Sequence, residues 1–477
     1  MRPDPTDEQL HILDLARSTT ANLMINALAG TGKTTTLEMI EHAVPTKPVL
    51  YLAFNRKIAD DATKRMATTT TVRTFNSLGH RIWAKATKQF KPDPKKVPDL
   101  LRAMIETESR ETKRKLWECF WEIVNGVATA KAIGYIPQGH SMHKKRLADL
   151  ATLEDALDEA PDGFVVQWID RLLTISIGAA YSGSCDFNDQ IYMPTLFSGT
   201  FPEFPLVLVD EYQDLNPVNH EMIRKLTKHR LIGVGDPFQS IYEFRGAESG
   251  GMARAVQTFK MTECDLSVSF RCPRRIVEHV RWRVPKFKWV KEGGLVGTNQ
   301  NLTFDHSDGT TIICRNNAPL FKLAMQFLNK GLSVQVLGSD IGPRLIATLR
   351  KLGSPDLDRA ELLAAIDSWL EARLTRGSKS AKDTAECMRV FASHGANLTQ
   401  AIAYAEHLFA QKGKTIFTTG HKAKGLEWPT VLHLDPWLCD DTEQDRNLRY
   451  VISTRSSDRL IEINSEDIRF LPMRPTE

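Results

Sequence analysis

The stretch Ala27-Leu28-Ala29-Gly30-Thr31-Gly32-Lys33-Thr34 constrains this chain more than any other, because few local folds accept it. An apolar run, Leu23 to Ala27, precedes it, and a helix-like segment, Thr34 to His42, follows. The glycines let backbone N–H groups turn inward around a polyphosphate, and the helix N-terminus adds partial positive charge. Lys33 is then placed to reach the β- and γ-phosphates, and the Thr34 hydroxyl to complete the shell of a Mg2+ ion. Ala29, Gly30, Thr31, Gly32 and Thr35 complete the expected nucleotide cradle. Ala27 stands where the general pattern has glycine, so the strict motif is unmet at its first position.

A strand–loop–helix unit of this kind belongs in an open parallel sheet, and the rest of the chain supplies the strands. Short runs apolar at every position recur at Val49 to Phe54, Leu206 to Val209 and Leu231 to Val234. A second block has Thr310 to Cys314, Ser333 to Leu337, Ile416 to Thr419 and Val431 to Leu434. Such runs predict strands covered by helices on both faces, hence two α/β domains. At 477 residues the chain is too long for one core. Each block is interrupted by a helix-rich stretch, about 79–185 and 340–411. Candidate helices in the second are Leu345 to Leu352, Ala360 to Leu374 and Leu398 to Phe409.

Charge helps only locally. The net charge of +4 selects no partner. From Gly79 to Arg146, however, 15 Lys/Arg face 7 Asp/Glu, an excess suited to a nucleic-acid track or to a solvated helical surface. The second insert balances nine basic against nine acidic residues. Trp117 and Trp121, four apart, predict one face of a core helix. Seven scattered cysteines, with no Cys-x-x-Cys pair, argue against a zinc site or a disulfide framework. No run approaches the roughly 18 apolar residues of a membrane span. The expectation is a soluble intracellular protein with no membrane partner.

Val207-Leu208-Val209-Asp210-Glu211 ends a buried strand with two carboxylates. An acidic pair in that position is ordinarily a solvated loop. Together with the loop at Lys33 it forms the other half of a Mg–NTP site, Asp210 holding the metal and Glu211 orienting and deprotonating the attacking water. Gln239, just beyond the strand Leu231 to Val234, is placed to bond water and γ-phosphate together. Phe244 beside Arg245 offers a ring for a base and a cation for a phosphate.

The order and wording of these segments resemble the UvrD/Rep/PcrA group, the superfamily 1A DNA helicases. Thr6-Asp7-Glu8-Gln9 is similar to that family's adenine-reading segment, which implies that Gln9 binds the base. Leu52-Ala53-Phe54-Asn55-Arg56-Lys57 and Thr74-Phe75-Asn76-Ser77-Leu78-Gly79-His80 resemble its single-strand-contacting segments, implying DNA contacts at Phe54, Asn55, Thr74, Phe75 and Asn76. Val209-Asp210-Glu211-Tyr212-Gln213-Asp214 is similar to its metal and general-base motif, and Gly235 to Ala247 to its coupling motif, with Phe244 where tryptophan is usual. Ser269-Phe270-Arg271 resembles an Asn-Tyr-Arg segment, implying Arg271 as an arginine finger and Phe270 as the adenine platform. Thr419-Gly420-His421-Lys422-Ala423-Lys424-Gly425-Leu426-Glu427-Trp428 resembles a further motif, with His421 on DNA, Glu427 on the ribose and Gly425 in the nucleotide site. Asn447-Leu448-Arg449-Tyr450-Val451-Ile452-Ser453-Thr454-Arg455 resembles the last motif, implying a second γ-phosphate arginine in Arg455. These late segments are nearest to the F-box DNA helicase and phage-type branch.

The resemblance implies two RecA-like P-loop NTPase domains with parallel sheets, each interrupted by a helical insert. The expected division is motor domain 1A at 1–78 and 186–265, a basic insert 1B at 79–185, motor domain 2A at 266–339 and 412–477, and a reduced insert 2B at 340–411. It further implies an ATP-dependent DNA helicase that moves 3′→5′ on single-stranded DNA and unwinds duplex, hydrolysing ATP with Mg2+ in the cleft between the two RecA-like domains. The alternative is a single-strand translocase that displaces bound proteins with little unwinding. Expected partners are single-stranded and forked DNA, with room for replication or recombination accessory proteins. The expected state is a monomer, in a bacterial or phage-infected cytoplasm, or in a nucleus if the source is eukaryotic.

Overall fold

The computed structural model describes residues 4–87, 90–157, 162–241, 250–298, 302–304, 309–338, 341–375, 378 and 380–470. The chain divides into two compact units, Met1–Ala27 with Gly32–Leu266, and Leu28–Thr31 with Ser267–Glu477.

The first unit is built on six strands, β1 (Leu23–Ala27), β2 (Val49–Ala53), β3 (Thr71–Thr74), β4 (Phe204–Val209), β5 (Thr227–Gly235) and β6 (Thr262–Leu266). They pair in parallel in the order β3-β2-β4-β5-β1-β6. Alternation explains the unbroken apolar runs. In β4, Leu206 and Leu208 enter one core with Ile12, Leu37 and Ile40, while Val207 and Val209 enter another with Phe75, Leu78 and Met222. Each such side chain contributes about 1.5–3 kcal/mol by leaving water, so a sheet covered on both faces demands apolar residues at both parities. In the order β4-β5-β1, the C-terminal edges of β4 and β1 lie one strand apart. The loop after β1 and the carboxylates after β4 therefore open on the same edge.

The helix Phe75–Ala86 leads out of this sheet into the first insert. Phe75, Leu78 and Ile82 stay in the sheet core, whereas Trp83 joins Leu101, Leu116, Phe120, Ile123 and Leu172 in the insert core. The tryptophan pair corrects the sequence reading. A break at Cys119 puts Trp117 and Trp121 on successive helices, Arg110–Glu118 and Phe120–Ile133, and leaves them 49% and 52% exposed. Leu116, Phe120 and Ile123 take the inward positions instead. The positive excess of this insert is also partly internal. Lys96 and Lys131 are buried with Asp186 and Asp189, at 2.6 Å for Lys96–Asp189, 2.6 Å for Lys131–Asp186 and 2.7 Å for Lys131–Asp189.

The second unit repeats the plan. Its strands β7 (Leu295–Thr298), β8 (Thr311–Cys314), β9 (Val334–Val336), β10 (Thr415–Thr419), β11 (Trp428–Leu434) and β12 (Ser456–Ile463) form a parallel sheet in the order β9-β10-β8-β11-β12-β7. Helices Ile341–Leu349, Arg359–Thr375, Ala381–His394 and Leu398–Ala410 fill the second insert. Their Leu349, Ile366, Met388 and Phe391 share one core with Phe321 and Phe327 of the helix Asn317–Asn329 and with Phe417 of β10. The architecture is α/β, two RecA-like units with parallel sheets and helical insertions, as the sequence implied. Among the described residues no helix is long and apolar enough to cross a membrane.

Candidate functional site

The chain leaves β1 through a loop with two left-handed glycines, Gly30 at φ +71° and Gly32 at φ +82°. Gly32 caps the helix Lys33–Ala43 with no side-chain hydrogen bond, so the first-turn amides are left for an anion. Gln9 is 3% exposed. Its Oε1 accepts from Thr6 N at 3.0 Å and its Nε2 donates to Thr36 Oγ1 at 2.9 Å, so the expected base reader is fixed against the phosphate-loop helix.

At the end of β4, Asp210 is 1% exposed. Its Oδ2 accepts from Thr34 Oγ1 at 2.8 Å and from Tyr51 OH at 2.7 Å, and its Oδ1 from Glu211 N at 2.8 Å. Burial, and then the neighbouring Glu211 charge, raise the Asp210 carboxyl above its ordinary range, against the hydrogen bonds from Tyr51 and Thr34. Glu211 adopts φ +51°, ψ +47°, a left-handed conformation that costs a non-glycine residue about 1–3 kcal/mol. The sharp exit from the strand lets both successive carboxylates serve one site. Glu211 Oε2 lies 3.9 Å from Lys33 Nζ and accepts from Gln213 Nε2 at 2.7 Å. Gln213 Oε1 in turn accepts from Asp236 N at 3.0 Å, and Gln239 Nε2 donates to Asp236 Oδ2 at 2.7 Å. Lys33, Thr34, Asp210, Glu211 and Gln239, five of the residues singled out from sequence, thus belong to one bonded neighbourhood.

The single-strand segments divide. Phe54, 37% exposed, offers its ring to solvent. Asn55 caps the helix Arg56–Arg65 by accepting from Ile58 N at 2.9 Å, and Thr74 caps the next helix by accepting from Ser77 N at 3.1 Å. Asn76 Nδ2 donates to Phe187 O at 2.8 Å and Gln190 Oε1 at 3.1 Å. Phe75 departs from expectation: it is 3% exposed inside the sheet core, leading the stripe Phe75, Leu78 and Ile82, and has no ring face for a base. Phe244 and Arg245 lie outside the described residues.

In the second unit, which includes Leu28–Thr31, Ser269 Oγ donates to Ala29 O at 2.9 Å, Phe270 N to Gly30 O at 2.9 Å and Tyr450 OH accepts from Ala29 N at 2.9 Å. A Cβ added to Gly30 would fall 2.5 Å from the Arg271 Cβ. Phe270 is half-buried. Arg271 pairs with Glu427, whose side chain is 56% exposed. His421 is half-buried in the short helix Gly420–Ala423, and Gly425 takes φ +81°. Arg455 is 1% exposed. Its guanidinium donates to Val451 O at 2.9 Å, Leu426 O at 3.2 Å and Thr454 Oγ1 at 3.3 Å.

The UvrD/REP helicase N-terminal domain signature matches residues 7–260, more than half of the chain. The chain belongs to the UvrD/REP helicase family. The UvrD-like helicase C-terminal domain signature matches residues 415–461. F-box DNA helicase 1 of Gallus gallus is 24% identical over 93% of this chain and 46% of its own length. F-box DNA helicase protein 1 of Schizosaccharomyces pombe is 24% identical over 96% and 57%, and DNA helicase IV of Escherichia coli 25% over 54% and 44%. The chain thus spans about half the length of these curated relatives. The two signatures cover the loop at Lys33, the carboxylates, Gln239, His421, Glu427 and Arg455. Phe270 and Arg271 fall between them.

Three residues of this bonded neighbourhood escaped the sequence reading. Gln213 and Asp236 stood inside quoted motifs, but the bond that joins them, Asp236 N to Gln213 Oε1, appears only once β4 and β5 lie side by side. Tyr51 stood in an apolar run. The available signal was a hydroxyl in a strand expected to be buried on both faces, which must find a partner.

Proposed function

We propose that this chain is an ATP-dependent DNA helicase that moves 3′→5′ along single-stranded DNA and separates duplex. The observation that carries the reading is the shared bond of Thr34 and Asp210, 2.8 Å, beside Lys33 and Glu211 at 3.9 Å. A divalent magnesium ion fits these residues. A hydroxyl and a buried carboxylate are hard oxygen donors of the kind that hold such an ion. Thr34 and Asp210 would hold the ion, which when bound neutralises phosphate charge. Lys33 and the loop residues Ala29 to Thr35 bind the phosphates, Gln9 and Phe270 the base, and Gly425 and Glu427 the ribose side. Glu211 takes the proton of the attacking water, and Gln239 senses the γ-phosphate.

Arg271 and Arg455 supply the further positive charge that the transition state needs, an effect of about 10³–10⁵-fold for such arginines. Phe54, Asn55, Thr74, Asn76, Phe244, Arg245 and His421 form the DNA track. Direction follows from the family resemblance and the monomeric state from the compact second insert; the domains are 1–78/186–265, 79–185, 266–339/412–477 and 340–411. Single-stranded and forked DNA are the partners, with accessory proteins of replication or recombination. The workplace is a bacterial or phage-infected cytoplasm, or a eukaryotic nucleus.

Hydrolysis of ATP measured with and without DNA and RNA oligomers tests the reading. DNA should stimulate the wild type, and Glu211→Gln should bind nucleotide yet turn it over at about 1% of the wild-type rate or less. ATPase indifferent to DNA refutes the motor. Forked-duplex separation set beside displacement of a DNA-bound protein then decides between an unwinding enzyme and a translocase that only clears its track.

A further inference from the structure

We propose that Tyr51 is the positioning residue that sets the Asp210 carboxylate for the divalent cation, and with it the metal requirement of the site. The proposal rests on the Mg–nucleotide reading above. Tyr51 lies in β2 opposite Leu208 of β4, two residues before Asp210. It is fully buried, with Leu206, Leu208, Leu37 and Ile40 in the same core. A hydroxyl in such a place is costly without a partner, and its partner is Asp210 Oδ2 at 2.7 Å.

Three donors fix that carboxylate: Tyr51 OH and Thr34 Oγ1 on Oδ2, and Glu211 N on Oδ1. They do not have equal duties. The Thr34 oxygen is itself a candidate ligand, so a bound cation competes for it. Glu211 N belongs to the backbone and cannot adapt. Tyr51 is the side chain that holds the carboxylate plane without serving the cation or the phosphates. A phenol ordinarily ionises only near about 10, so the hydroxyl keeps its proton and donates throughout the working range. Its strand also runs directly into Phe54, the exposed ring of the single-strand track.

Partners that orient metal ligands typically change metal affinity by about 10–100-fold when removed. Full-length Tyr51→Phe keeps the ring and loses one oxygen. Fluorescence of a labelled ATP analogue, titrated with MgCl2 and separately with MnCl2, reads the effect. The Mg2+ midpoint should rise about tenfold or more, while nucleotide affinity in EDTA and affinity for single-stranded DNA stay at wild-type values. Saturating Mg2+ should restore turnover. Tyr51→Met, which fills the slot without a hydroxyl, gives the same readout if the phenylalanine variant is insoluble. An unchanged Mg2+ midpoint overturns the proposal. So does an equal loss of nucleotide binding in EDTA, which would show a packing role only. Failure of the underlying reading looks different: wild type and Thr34→Ala would both bind nucleotide with no dependence on Mg2+.

Discussion

Removing the Lys131 ammonium should cost this protein more stability than any surface charge. Lys131 is 1% exposed. Its Nζ lies 2.6 Å from Asp186 Oδ2 and 2.7 Å from Asp189 Oδ1, and donates to Ser176 Oγ at 3.0 Å. The rest of the group is equally enclosed. Lys96 Nζ donates to Asp189 Oδ2 at 2.6 Å and to Ser176 O at 2.7 Å, and the Asp186 and Asp189 amides each donate to the other's carboxylate at 2.9 Å. Two cations balance two anions. Lys131→Met preserves the stem and leaves two buried carboxylates with one lysine. Breaking a buried pair from one side costs about 3–5 kcal/mol, and three partners lost together place this case in the upper half. Lys115→Met is the control, since Lys115 meets Asp162 at 3.1 Å with side chains 47% and 60% exposed, an interaction worth at most about 1 kcal/mol. Urea unfolding followed by tryptophan fluorescence measures both, because Trp83 and Trp168 lie in the same core. A Lys131→Met variant within about 1 kcal/mol of wild type would refute the reasoning. It would mean that water or a shifted carboxylate replaces the ammonium at little cost.

Phe54→Ala should weaken single-stranded DNA binding by the loss of a stacking ring, about 1–3 kcal/mol, and leave stability almost unchanged. Phe75→Ala should do the reverse, costing about 3–5 kcal/mol of stability, so DNA titration and thermal melting of the pair test the reassignment of Phe75 to the core. Gly30→Ala puts a side chain at φ +71° with its Cβ 2.5 Å from that of Arg271. Nucleotide affinity by equilibrium titration should drop about tenfold or more, and an unaffected value would show that the loop reshapes freely. Burial first, and the Arg254 charge second, push the His220 imidazole down from 6.5 to about 4. Because the folded value lies below the unfolded one, protons favour the unfolded chain. Stability is therefore full above pH 6.5 and falls as pH drops toward 4, and His220→Gln should remove up to about 3 kcal/mol of that decline in denaturant titrations at stepped pH.

The central strands were legible because both of their faces are dry. Val49–Ala53, Leu206–Val209 and Ile312–Cys314 are apolar at successive positions, and their strands each lie between two neighbours. The strands that escaped notice are mostly edges. Thr71-Val72-Arg73-Thr74, Thr262-Glu263-Cys264-Asp265-Leu266 and Leu295-Val296-Gly297-Thr298 each pair on one side only, and their half-exposed positions accept polar residues. Ser456–Ile463 is internal to its sheet, yet its first half is partly wet and reads as a turn. Periodicity finds a strand through what covers it, so strands with one open flank leave less trace, although the edge strand Val334–Val336 was found.

The site shows the same division between local and distant causes. Lys33 and Thr34 follow from a contiguous loop, and Asp210 and Glu211 from the two residues that end a strand, so spacing alone brings each pair to light. What joins the pairs is the β4-β5-β1 order, and nothing within either segment specifies it. Tyr51 acquires its role only because β2 pairs with β4. Phe75 looked like a ring for DNA within its motif, but the helix it opens must cover the sheet, and that packing claims its first residue. Charge counting fails for the same reason. Lys96 and Lys131 were counted in the positive excess of the first insert, yet Asp186 and Asp189, some ninety and fifty-five residues further along, draw both ammonium groups into its core. A count along the chain treats every lysine as a surface lysine. An anion approaching this insert meets a smaller excess than the sequence suggests, and the two lysines it does not meet are those on which the insert's own stability depends.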